Sequence, residues 1–168
     1  MIARAPVAAD RAAVLEALDR CGAFTADEVR VAIEMFDDGL AGDYSLVGVE
    51  VDGVLRGYVC IGKAWLTHSS WYLYWICVHP AFHGSGVAQL LQHAAEDFVR
   101  ERGGERLVLE TSSRPPYERS RRFYARCGFE VQGLIADFYE RGDDCLVYVK
   151  TLGAANGRAD PQPRQRPL

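Results

Sequence analysis

The sequence predicts an α/β chain of the α+β kind, with one mixed central sheet of about six to seven strands, mostly antiparallel, flanked by about four helices. Three observations carry that expectation. Asp52-Gly53 lies between "DYSLVGVEV" and "VLRGYVCIGKAW", two segments of period two, and Asp-Gly is the strongest short hairpin signal. "FEVQGLIADFYE" and "CLVYVKTL" read as a closing hairpin joined through Arg141-Gly142-Asp143-Asp144. Segments of helical period stand on either side of the first hairpin, so helices and strands share one core.

The elements follow in order. "IARAPV" alternates apolar and polar residues as an edge strand does, and Asp10 stands at the N-cap position of a helix over "RAAVLEALDRCG", which Gly22 closes. Thr25 with Glu28 three residues on forms a capping box, and Val29, Ala32, Ile33 and Phe36 recur at helical spacing as a buried stripe. After the first hairpin, "WYLYWICVHP" is dense in aromatic and β-branched residues that suit a strand, which Pro80 ends. From Ser85 to Arg102 the helical period returns, with Leu90, Leu91, Ala94, Ala95, Phe98 and Val99 inward and Gly103-Gly104 as the stop. "ERLVLETS" then reads as a strand buried at the sheet centre, and a helix through "ERSRRFYARCG" stops at Gly128. Residues 1–152 form the expected domain. The tail 153–168, rich in Gly, Pro, Arg and Gln without apolar period, is expected to be disordered.

Bulk properties narrow the class. At 168 residues and 49% apolar, the chain suits one globular domain that needs no metal or disulfide staple. A net charge of −4 argues against a nucleic-acid partner, which calls for a basic face. Five scattered cysteines with no Cys-x-x-Cys pair point to a reducing compartment and to no metal. No signal-like or membrane-length apolar run occurs, so a cytoplasmic protein without membrane contact is expected.

The stretch "VHPAFHGSGVAQLL" sets the functional question, because glycines between a strand and a helix give up local stability. The first turn of a helix offers backbone N–H groups without partners at the positive end of its dipole. Gly84 and Gly86, with only the small Ser85 between them, would let a pyrophosphate reach those donors; a tight turn that binds nothing is the other reading of the same glycines. A Walker loop is excluded, since Val87-Ala88-Gln89 follows Gly86 where Gly-Lys-Ser/Thr is required. A dinucleotide loop is excluded because its third glycine is missing and antiparallel strands come first.

The same stretch resembles the acetyl-CoA signature of the GNAT superfamily of N-acetyltransferases, Arg/Gln-x-x-Gly-x-Gly/Ala, with His83 in the first place and Gly86 and Ala88 in the last two. "RRFYARCGF" resembles the family's LYxxxGF motif, with Tyr124 at the tyrosine and Gly128-Phe129 at the GF; Tyr117 stands where the family has an asparagine. "FYERGDDCLVYVK" is similar to the closing hairpin of its N-terminal-alanine acetyltransferases. The resemblance implies a sheet with a splayed parallel strand pair and acetyl-CoA as cosubstrate. It implies cofactor contacts from Ile76, Cys77, Val78, His83, Gly84, Ser85, Gly86, Val87, Ala88, Ser120 and Tyr124.

Transfer of an acetyl group to an amine needs a base for the ammonium proton and an acid for the leaving thiolate. The resemblance assigns the acid to Tyr124, whose phenol stays protonated at neutral pH, and Glu110 at the end of "LVLETS" is chosen as base. A strand-end carboxylate serves equally as an ion-pair partner or a cap. Tyr72 and Tyr74, on one face of their strand, join Glu110 as substrate-binding candidates that could conduct the proton. Ser112 and Ser113 fit turn bonds, Cys77 a buried core position, and the acids Asp137, Glu140, Asp143 and Asp144 a solvated hairpin. The expected acceptor is a small-molecule amine, amino acid or peptide N-terminus. A non-catalytic acyl-CoA-binding regulatory module is the alternative function, and a homodimer is one expected oligomeric state.

Overall fold

The computed structural model describes residues 1–153. The disorder expected of the tail therefore lies outside the described residues from position 154 onward. The chain runs β1 (Ile2–Arg4), α1 (Arg11–Cys21), α2 (Ala26–Ala41), β2 (Ser45–Val51), β3 (Val54–Lys63), β4 (Ser70–Val78), α3 (Val87–Glu101), β5 (Arg106–Ser112), α4 (Glu118–Arg126), β6 (Glu130–Glu140) and β7 (Asp143–Thr151). Its seven strands form one sheet in the order β1-β2-β3-β4-β5-β7-β6. Only β4 and β5 pair in parallel among the described residues.

Local chemistry accounts for most boundaries. Asp52 and Gly53 both take positive φ, 51° and 78°, as the tight turn between β2 and β3 requires. The Thr25 hydroxyl accepts the Glu28 N–H at 3.3 Å, and the Glu28 carboxylate accepts the Thr25 N–H at 2.7 Å, completing the capping box that starts α2. Asp10 departs from the expectation. It occupies the N-cap position of α1 with helical backbone angles and makes no side-chain cap bond. Its carboxylate instead receives both terminal nitrogens of Arg4, at 2.7 and 2.8 Å, and the Val7 N–H at 2.8 Å. A bidentate guanidinium is a stronger partner than one backbone amide, so it draws the side chain away from the helix, and the Arg4 bonds hold the carboxyl below its usual range.

Two apolar layers sandwich the sheet. On one face α1 and α2 bring Val14, Leu18, Ile33 and Phe36 against Leu55, Tyr58, Cys60 and Cys77. On the other, Val87, Leu91, Ala95 and Val99 of α3 meet Val59, Ile61, Leu73, Leu107 and Leu109. The alternation of Tyr58 and Cys60 with Val59 and Ile61 is the period of two that fills both layers from one strand. The inward side of α3 also carries Glu96, only 3% exposed, which the expectation of an apolar stripe missed. Arg100 reaches it at 2.9 Å, and Lys150 of β7 and the Gln92 amide bind its other oxygen, so the buried charge is paired.

Beyond its first three residues β4 leaves β5. Pairing covers only Ser70 to Tyr72 against Arg106 to Val108. At that point β4 carries a bulge: Leu73 faces Ile61 and Trp75 faces Cys60, which leaves Tyr74 unpaired. A bulge bends its strand, and here it coincides with the end of the parallel ladder.

Phe36 is fully buried and meets the Tyr58 ring edge-on at 5.5 Å between centroids. Phe36→Ala should destabilise the protein by about 4 kcal/mol, read from the shift of the urea midpoint at constant slope.

Candidate functional site

The divergence of β4 from β5 opens a cleft of about 990 Å³. Its walls are built from distant parts of the chain: β4 supplies Tyr72, Tyr74 and Ile76, β5 supplies Glu110, α4 supplies Ser120 and Tyr124, and the entry to α2 supplies Phe24 and Glu28. The closing hairpin adds Tyr139, Glu140 and Asp143. Glu110 and Tyr124, assigned to opposite ends of one proton-transfer scheme, thus line the same space.

Each has the exposure its environment dictates. Tyr124 is 8% exposed, packed edge-on against Phe129 and Phe123, and burial pushes its phenol above the ordinary value. Glu110 alternates with the core residues Leu109 and Thr111 on β5 and so points out of the sheet into the cleft, where it is exposed. Among the described residues it forms none of the ion pairs and caps that a strand-end carboxylate could have formed. Ser112 fills that structural place instead: its hydroxyl accepts the Arg114 N–H at 3.0 Å and donates to Asp143 at 2.5 Å. Ser113 accepts the Asp144 N–H at 3.0 Å, a turn bond. Tyr72 and Tyr74 stack at 5.5 Å along the cleft wall. Of the other aromatic residues, Trp71 belongs to the core and Trp65 is 85% exposed, outside both core and cleft.

The glycine loop has the form an anion would need. Gly84 and Gly86 both adopt left-handed backbone, φ 81° and 95°; at Gly84 an added Cβ would meet nothing, and at Gly86 only the tip of Met1 at 4.0 Å. Gly86 is the N-cap of α3 and supplies no side-chain cap, which leaves the first-turn amides from Val87 onward open. Val87 itself is fully buried, and Ala88 packs partly against the same core, so these two residues offer the loop their backbone only. The Ser85 hydroxyl donates back to the Phe82 carbonyl at 2.6 Å. The cradle therefore fits the diphosphate of a coenzyme A.

Two side chains sit differently from their sequence assignment. His83 uses both ring nitrogens within the protein: Nε2 lies 3.0 Å from the Val78 carbonyl and Nδ1 2.7 Å from Arg119. The carbonyl fixes the proton on Nε2, so Nδ1 accepts from the guanidinium, and burial with Arg119 depresses the imidazole below its ordinary pKa. Arg119, at the second position of α4, sets a cation beside the loop, and nothing in the linear spacing singled it out. Tyr117, in the place of the family's asparagine, donates its hydroxyl to Glu28 across 89 residues of sequence and ties the start of α2 to the turn before α4. Cys77 and Val78 face opposite core layers, 3% and 8% exposed, so their side chains are committed to the core.

No cluster of His, Cys, Asp and Glu arranged to hold a metal occurs among the described residues, and no described helix is long and apolar enough to cross a membrane.

Comparison with known proteins agrees with this architecture. The model of the acetyltransferase (GNAT) family matches residues 12–129. A protein of that family from Desulfovibrio desulfuricans has a solved structure that is 32% identical, covering 90% of this chain and 99% of that one with a TM-score of 0.86. N-alpha-acetyltransferase 30 of Schizosaccharomyces pombe is 26% identical over 64% of this chain and 71% of its own length. Streptothricin acetyltransferase of Streptomyces lavendulae is 34% identical over 62% of this chain, and the match spans 56% of that protein. A family match over most of the domain and a fold shared with a family member of 32% identity lead to one assignment: the chain belongs to the acetyltransferase (GNAT) family and is an N-acetyltransferase.

Proposed function

We propose that the chain moves an acetyl group from acetyl-CoA to a primary amine of a small molecule, an amino acid or a peptide N-terminus, by direct attack within the β4–β5 cleft. One observation carries the reading: Glu110 and Tyr124, from β5 and α4, line the same cleft beside the edge of β4 that no longer pairs with β5 past Tyr72. Acetyl-CoA, when bound, supplies the acetyl group activated as a thioester.

The residues divide the remaining work. The first-turn amides of α3, with Gly84, Ser85 and Gly86, hold the diphosphate, and Arg119 adds positive charge next to His83. The β4 backbone around Ile76, Cys77 and Val78, released from β5, offers amides to the pantetheine arm and to the thioester oxygen. Ser120 lines the cleft along the same course. Glu110, exposed and unpaired, takes the proton of the acceptor ammonium so that the neutral amine can attack, with Tyr72 and Tyr74 beside it. The phenol of Tyr124 holds a proton for the departing sulfur, and its burial keeps that proton in place well into the alkaline range. A non-catalytic acyl-CoA-binding module would retain the loop without needing both carboxylate and phenol in the cleft.

Gly86→Glu, which sets a carboxylate where the diphosphate belongs, should abolish coenzyme A binding by calorimetry, whereas Gly86→Ala, strained by the same positive φ, should retain it. Equal affinity in the wild type and Gly86→Glu would overturn the site. Tyr124→Phe should lower kcat about 100-fold with little change in coenzyme A affinity, followed as thiol release over a panel of amines. Binding without thiol release in the wild type would favour the module instead. Because the required form of Tyr124 is the protonated one and its pKa is raised, kcat should show no alkaline decline through pH 10 that Tyr124→Phe removes.

A further inference from the structure

Three carboxylates are buried in the described residues: Asp10, Glu96 and Asp143, at 8%, 3% and 5% exposure. The first two follow the rule that a buried charge is paired. Asp10 lies on Arg4, and Glu96 on Arg100 and Lys150. Asp143 is the exception. It begins β7 and lines the cleft, and no Lys, Arg or His of the described residues reaches it; the Ser112 hydroxyl, donating to Oδ1 at 2.5 Å, is its one side-chain partner.

A carboxylate set in the wall of a binding cleft, with no cation beside it among the described residues, points to a cation that arrives with the ligand. The surroundings agree in sign. The cleft is also lined by Asp27, Glu28, Glu110 and Glu140, against Arg114 as the one lining cation, and Arg114 is committed to Glu140 at 2.6 Å. Glu110 and Asp143 act on common neighbours: the Tyr139 phenol is raised first by burial and by Cys145, then by both carboxylates. The other hairpin acids behave as expected of a turn. Asp137 accepts the Gly142 N–H at 2.6 Å, and Asp144 the Asp137 N–H at 2.9 Å.

We propose that Asp143 is a specificity-determining residue that binds a second cationic group of the acceptor, apart from the amine that Glu110 deprotonates, so that the enzyme selects dicationic amines over monoamines of equal length. The inference rests on the reading of this cleft as the acetyl-transfer site. Ser112 is the positioning residue, since its hydroxyl orients the carboxylate from a backbone-anchored place on β5.

Two length-matched pairs test it: 1,5-diaminopentane against pentylamine, and lysine amide against norleucine amide, with thiol release from acetyl-CoA as the readout. The wild type should show kcat/KM at least about tenfold higher for the dicationic member, beyond the statistical factor of two for diaminopentane, as a charge-assisted hydrogen bond warrants. Asp143→Asn should raise KM for the dicationic amines about tenfold, leave kcat and the KM for acetyl-CoA in place, and bring the preference close to one. Ser112→Ala should shrink the preference in the same sense, which keeps the test open if Asp143→Asn folds poorly. Equal kcat/KM within both pairs, or a preference that survives in a folded Asp143→Asn, would overturn the selection while leaving acetyl transfer standing. A kcat lowered alike on all amines would move Asp143 into the chemistry and overturn it too. No thiol release from any of the amines would overturn acetyl transfer to amines, and this inference with it.

Discussion

The separation of β4 from β5 is the constraint on which the rest of the molecule depends. A parallel ladder that continued past Tyr72 and Val108 would satisfy every backbone group of both strands and leave no space between them. Ending it exposes amides and carbonyls that must find another partner, because unpaired backbone in an interior is costly. The bulge at Tyr74 bends β4 away, the helices seal the two faces, and an opening is left whose backbone edge would suit a ligand that carries its own amides. The glycine loop at the start of α3 follows the end of β4 after one short helical turn, so under the proposed reading the diphosphate and the thioester would both be placed by one strand and its exit.

Around that opening the fold distributes charge unevenly. Cations are gathered where the loop meets α4, through Arg119, and deeper between α3 and β7, where Arg100 and Lys150 compensate Glu96. The acceptor side of the cleft holds carboxylates and phenols. The bridge from Tyr117 to Glu28 joins the start of α2 to the turn before α4, and both residues line the cleft. A cofactor rich in phosphate and an acceptor rich in ammonium would approach from sides of opposite sign, which steers each to its own end of the cleft.

Much of this was legible in the linear order of residues. Asp52-Gly53, the Thr25 and Glu28 box, Pro80, and the glycines after the helices mark boundaries through interactions within a few positions, and those boundaries stand in the structure. The apolar periods of α2 and α3 also read correctly, since they report a face rather than a partner. Asp10 holds the N-cap position as expected but gives its carboxylate to Arg4 from a neighbouring element, and the polar residues on the inward side of α3 could not be distinguished from surface positions until Lys150 was known to face them.

What the sequence by itself determined is the set of elements, the glycine loop, and the family to which the two motifs point, because each is written in contacts of short range or in a contiguous pattern. Tertiary structure alone decided that Glu110 and Tyr124 share a cleft, that His83 is turned to Val78 and Arg119, and that Asp143 is buried without a cation rather than solvated in a hairpin. The physical reason is that exposure and charge balance are sums over neighbours brought from every part of the chain. A single carboxylate reads the same in the sequence whether water or a closed cleft surrounds it.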